Sequence, residues 1–97
     1  MTPYQVWKTM RVMKRPVSPA QIVAHYACIE DEEVRPGSVP PVESALTLLG
    51  EFDLARVLAT DDKWEAVFPS DLSDADRKAM FKKLHAEWRQ RRRAART

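Results

Sequence analysis

The sequence predicts an α+β, mostly helical fold: three helices, a two-stranded β-hairpin, and an added C-terminal amphipathic helix. Three observations carry that class. Two early segments open with a hydroxyl residue followed by proline and continue with apolar residues at helical spacing. Residues 53–68 hold two short apolar runs split by an acidic turn, and the last quarter of the chain starts with a cap and acids and ends in bases. At 97 residues and 44% hydrophobic content, the chain suits one small core.

In the first segment Thr2 is placed to cap, and Pro3 fits the first helical position because its missing N–H would have had no partner there. Val6, Trp7, Met10 and Met13 then recur on one face, predicting a helix over residues 3–14. Pro16 stops it. Ser18 and Pro19 restart the same pattern, with Ile22, Val23 and Tyr26 as the inward face of a helix over residues 19–28. Residues 30–41 combine clustered acids, Gly37 and three prolines, which deny both helix and central strand, so a loop or extended arm is expected. Val42, Ala45, Leu46 and Leu49 mark a third helix, and Gly50 is placed to end it in a left-handed conformation.

Residues 53–68 are the ambiguous stretch. A helix there would carry Thr60, Asp61 and Asp62 through its middle, where short polar side chains favour turns by bonding their own backbone. Two strands, residues 54–59 and 63–68, fit better; in the second, Trp64, Ala66 and Phe68 alternate with Glu65 and Val67, and Pro69 ends the pairing. The last helix is capped by Ser73, carries Asp74 and Asp76 in its first turn, and offers Met80, Phe81, Leu84 and Trp88 as a docking stripe. Lys78, Lys82, Lys83 and Arg89 then face outward. Beyond Trp88 the stripe stops, and the arginine-rich tail is expected to fray through self-repulsion. The chain thus divides into a body, residues 1–69, and a basic C-terminal helix with its tail, residues 70–97.

The net charge of +2 conceals a partition. Residues 1–29 hold four bases and no acid, residues 30–76 three bases and thirteen acids, and residues 77–97 nine bases and one acid. Such blocks attract one another or present separate fields to partners. No apolar run is long enough to cross a bilayer, and Lys8, Arg11 and Lys14 interrupt the apolar positions of the first segment, unlike a secretory leader. With one cysteine, Cys28, no disulfide framework is implied, and a cytoplasmic protein without membrane contact is expected.

The order of elements over residues 2–69 resembles a winged helix-turn-helix domain, with residues 53–68 as the wing and residues 42–49 in the place of the recognition helix. That resemblance implies a DNA-binding protein, a transcription regulator, whose third helix enters the major groove while the wing touches the backbone, often as a homodimer. Carried onto this chain, the third helix offers Glu43, Ser44 and Thr47, and the wing Arg56 and Lys63. The third helix has no base, however, and DNA affinity comes largely from phosphate neutralisation. Cations must come from elsewhere: Lys8, Arg11, Lys14 and Arg15 on the first helix, and Arg89, Arg91, Arg92, Arg93 and Arg96 at the end of the last.

Two other readings stand beside the regulator. One is a protein-interaction module, with a basic protein partner docking on Glu30, Asp31, Glu32 and Glu33; the other is an RNA-binding adaptor acting through the arginine-rich tail. Trp7, Trp64 and Trp88 read as core. His25 and Cys28 share a helix face but lack the paired spacing of a zinc site, and read as a satisfied, partly buried pair. With two glycines far apart and no nucleophile motif, neither an enzyme nor a cofactor is expected. Phe81, Leu84 and Trp88 serve either as a dimer seam or as a docking stripe on the same subunit.

Overall fold

Each helix begins where a side chain can replace the missing backbone partner. In the computed structural model, which describes residues 2–29, 39–58 and 63–95, helix α1 spans Pro3–Met13. Thr2 Oγ1 accepts from Gln5 N–H at 3.2 Å, while Thr2 N–H donates to Gln5 Oε1 at 2.8 Å, a reciprocal capping box. Lys14 closes α1 in a left-handed conformation, φ 56°, its N–H donating to Met10 O. Helix α2, Pro19–Ile29, opens on a second such box between Ser18 and Gln21.

Helix α3 spans Val39–Glu51 and ends differently from the sequence expectation. Gly50 has no positive φ; it lies inside the last turn, and the left-handed residue is Asp53, φ 58°. Leu54 N–H donates to Leu49 O at 2.9 Å and Asp53 N–H to Gly50 O at 3.1 Å, the paired bonds of a Schellman ending. The reason is burial. Leu49 and Leu54 are both fully buried, and their apolar contact across the motif sets where the helix stops.

The hairpin expected in residues 53–68 is present. Strand β1, Ala55–Leu58, pairs antiparallel with β2, Lys63–Ala66, in the register Ala55 with Ala66, Arg56 with Glu65, Val57 with Trp64 and Leu58 with Lys63. The turn at Thr60, Asp61 and Asp62 lies outside the described residues. β1 starts one residue later than expected and β2 stops two residues sooner, although Val67 N–H still donates to Leu54 O; residue 59 lies outside the described residues. Trp64 also exchanges both backbone bonds with Val17, at 2.9 and 2.7 Å, so the link between α1 and α2 joins the far side of β2. Trp64 and Ala66 pack against the core as their alternation requires; Phe68 leaves it and is 43% exposed.

Helix α4 runs Asp74–Ala95. Ser73 Oγ accepts from Asp76 N–H, confirming the cap, and Arg77 ties the preceding turn by donating to Leu72 O at 2.6 Å while pairing with Asp74. Leu84 is fully buried beside Leu46, Leu48 and Met10 in one core, and Met80, Phe81 and Trp88 pack against it. The stripe therefore docks on its own subunit. Where fraying was expected, the helix continues through the arginines to Ala95, because Arg91 and Arg92 find partners instead of repelling freely. The fold is thus α+β and mostly helical: four helices and one antiparallel hairpin among the described residues.

Candidate nucleic-acid interface

An open groove of about 1120 Å³ separates α1 from α4. Its aromatic wall follows from spacing. Tyr4 and Trp7 lie on one side of α1, Phe81 and Trp88 face them from α4, and Phe68 enters from the segment after β2. Tyr4, Trp7 and Phe68 form a row, with centroids 6.1 and 6.3 Å apart and ring planes inclined by 34° and 19°. Trp7 is nearly buried, its indole N–H donating to Val67 O at 3.2 Å, so it makes the floor of that row. Tyr4 and Phe68 stand proud of it, at 40% and 43% exposure. Phe81 holds Tyr4 edge-on, with centroids 5.1 Å apart and planes at 89°.

Cations line the same groove: Arg11 from α1, and Arg77, Lys78, Lys82 and Arg89 from α4. Asp74 is the one acid, and it is occupied by Arg77. The guanidiniums of Arg11 and Arg77 sit 4.4 and 4.9 Å from the centroid of Phe68, and Arg11 also reaches Trp7. Arg77 is committed to the turn below it. Among the described residues Arg11, Lys78, Lys82 and Arg89 make no ion pair, so their charge is directed into the groove without an internal counter-charge.

The remaining predicted site residues fall into distinct settings. Lys8, Lys14 and Arg15 are exposed, and Lys14 and Arg15 border a smaller recess with Arg11 and Glu65. Ser44 and Thr47 are exposed on α3; Thr47 Oγ1 donates to Glu43 O at 3.0 Å, a bond within its own helix. Arg56 is exposed but bound to Glu65, its register partner across the hairpin, so this wing candidate is already paired. Lys63 is half-buried.

Arg91 bridges helices: it donates to Glu51 Oε2 at 2.6 Å and Oε1 at 3.2 Å, and to Glu87 Oε1 at 3.0 Å. These bonds hold the Glu51 carboxyl below the ordinary carboxylate range and push the Arg91 guanidinium further up, the hydrogen bond between the two being the main cause in each case. Arg92 lies 4.8 Å over Trp88. Arg91 and Arg92 thereby line a second groove with Ser44, Pro40 and Pro41, which brings Arg92, beside the already paired Arg91, close to the base-free α3. Arg93 is exposed, while Arg96 and the acidic patch Glu30, Asp31, Glu32 and Glu33 lie outside the described residues.

No protein-family model, curated protein or solved structure matches the chain. No helix among the described residues is long and apolar enough to cross a membrane, and no three His, Cys, Asp or Glu side chains among them are grouped to hold a metal. The expected His25–Cys28 pair is not satisfied: Cys28 is exposed, and the buried His25 Nε2 has no hydrogen-bond partner. Sequence reading missed Tyr4, Phe68 and Arg77 as groove residues. Lys78, Phe81 and Lys82 did carry a signal, an aromatic between two bases four apart, which put both bases on one flank.

Proposed function

We propose that this chain is a small DNA-binding protein, a transcription regulator on a winged-helix scaffold, in which α1 and α4 supply most of the phosphate contacts. The scaffold reading draws support from the order of helices and hairpin and from the Val17–Trp64 bridge, which anchors the link between α1 and α2 to the hairpin. The observation that carries the function is the convergence on one face of cations that make no ion pair among the described residues: Arg11, Lys78, Lys82 and Arg89, flanked on α1 by Lys8, Lys14 and Arg15. Phosphate neutralisation requires charge that is not already paired, and this face has it. Ser44 and Thr47 offer hydroxyls for base or phosphate contact on α3, with Arg91 and Arg92 beside Ser44.

A salt titration tests it. Binding to random-sequence duplex should weaken linearly in log–log form, and Lys8→Glu with Arg15→Glu should shallow the slope by about 0.9 for each phosphate that is no longer neutralised. Both residues are exposed and make no ion pair among the described residues, so the fold should survive. Absence of duplex binding at low salt refutes the proposal. If α3 reads bases, Thr47→Ala should change sequence preference across a site library; an unchanged preference removes α3 from the readout.

A further inference from the structure

We propose that the groove between α1 and α4 is a binding site for single-stranded nucleic acid, with bases stacking on Tyr4 and Phe68 and phosphates held by Arg11, Lys78, Lys82 and Arg89. A duplex keeps its bases stacked on one another, so it offers phosphates but no ring faces to a protein groove. A single strand offers both, and proteins that hold it combine a cationic track with aromatic platforms. This groove has both features along one line.

The aromatic geometry makes the case more specific than charge alone. In a solvated basic face, rings would be turned inward and cations outward. Here two large rings are turned outward at the mouth, Tyr4 and Phe68, on either side of the nearly buried Trp7. The plane of Phe68 is inclined by 19° to that of Trp7 and the plane of Tyr4 by 34°, so the two outer rings offer a base a face on either side of Trp7. Phe81 sets Tyr4 by edge contact, so that platform is ordered before a strand arrives; at Phe68, which Arg77 also holds, an arriving base takes the place of the Arg11 guanidinium on the ring and Arg11 turns to the phosphate. Preorganised rings lose little freedom on binding. Arg77 is the positioning residue of the group, since its other donors are spent on Leu72 O and Asp74.

The charge identifies the occupant's backbone. Four cations without internal counter-charges among the described residues line the groove, and its single carboxylate is already neutralised. A neutral apolar segment or a basic peptide would leave those cations desolvated and unpaired; a strand of phosphates would not. This inference shares with the proposed function the class of partner and the four cations, and differs from it in the two rings, which duplex contact does not require.

Fluorescence anisotropy with a labelled oligothymidine, the matching duplex, and polyglutamate as competitor separates the possibilities. The oligothymidine should bind at low salt and quench tryptophan emission, since Trp7 and Trp88 line the groove. Phe68→Leu and Tyr4→Leu keep apolar contacts but remove the ring faces, and each should weaken single-strand binding about tenfold while leaving duplex binding within about twofold. Tyr4→Phe should restore it, and circular dichroism melts of all variants show whether each is folded. The proposal is overturned if the oligothymidine does not bind, if the folded Leu variants bind it as the parent does, or if polyglutamate displaces it at equal charge concentration. Loss of the duplex arm alone refutes the regulator and not the groove; loss of the single-strand arm alone does the reverse.

Discussion

Gly50→Ala should stabilise this protein, against the ordinary expectation for a glycine near a helix end. The residue lies in the last turn of α3 without a positive φ, and an added Cβ would meet Trp64 Cζ3 at 3.5 Å, an ordinary van der Waals contact. Alanine is favoured over glycine inside a helix by about 1 kcal/mol. A half-buried methyl adds a fraction of the roughly 0.8 kcal/mol assigned to a fully buried methylene. Stabilisation of about 1–1.5 kcal/mol follows, and each kcal/mol raises Tm by about 4–8 °C in a domain of this size. Thermal melts followed by far-ultraviolet circular dichroism, with urea denaturation to check that the slope is unchanged, measure it. Were Gly50 the left-handed residue, alanine would instead cost about 1–2 kcal/mol. The two accounts differ in sign, so a lowered Tm refutes the placement of the turn at Asp53. Asp53→Ala is the companion variant and should destabilise by up to about 1 kcal/mol, because it loses the short polar side chain that tolerates φ 58°.

Three further outcomes are expected. Leu84→Ala should cost about 2–5 kcal/mol as a core cavity and loosen α4, and sedimentation should find the parent's mass unchanged; parent dimers dissociating in this variant would favour the seam instead of the core. The Glu51 carboxyl, titrated by carbon-detected NMR, should lie below the ordinary carboxylate range and return to it in Arg91→Gln; an unmoved value denies the bridge. Since that folded-state pKa is depressed, the bridge contributes above the unfolded pKa and is lost as pH falls through the folded one, an effect that salt should weaken because both groups are exposed. Truncation after Trp88 removes Arg89 from the groove and Arg91 from its bridge, so the salt slope for nucleic acid should fall while Leu84 keeps the rest of α4 docked; an unchanged slope excludes the C-terminal arginines from binding.

The helices and the hairpin were legible because their signals are local. Thr2–Pro3, Ser18–Pro19 and Ser73 are caps whose bonds reach only three residues along the chain, and the acidic turn separates two runs that pair with each other. What the sequence hid depends on distance. Gly50 carried the local signature of a helix ending, but the fully buried Leu54 overrode it by pinning the ending to Asp53. The tail's repulsion is a real local cost, yet Glu51, 40 residues away, offsets it through Arg91. The groove was hidden for the same reason. Phe68 belongs to it only because the chain beyond Ala66 lies against α1, where Val67 O accepts from the Trp7 indole and Phe68 stacks on its ring, contacts that no period in the sequence encodes.

This distribution of partners also changes where the function of the basic C-terminal segment should be sought. Counted along the chain, its densest charge is the run from Arg89 to Arg93, which suggests a tail that wraps a polyanion. Counted by availability, the picture changes. Arg91 is held by two carboxylates, one of them Glu51 of α3, while Arg92 lies on Trp88 of its own helix and keeps its charge. Lys78, Lys82 and Arg89 follow one another at one-turn and two-turn spacing, make no ion pair among the described residues, and are turned toward the aromatic wall of α1. Electrostatic attraction acts through charge that has not been neutralised within the fold, so Arg91 adds least to the field of α4. Trp88 borders both grooves and carries Arg92 on its ring. Within the run Arg91 is thus the structural brace of α4, and under the proposed function the phosphate contacts belong chiefly to Lys78, Lys82 and Arg89 together with α1.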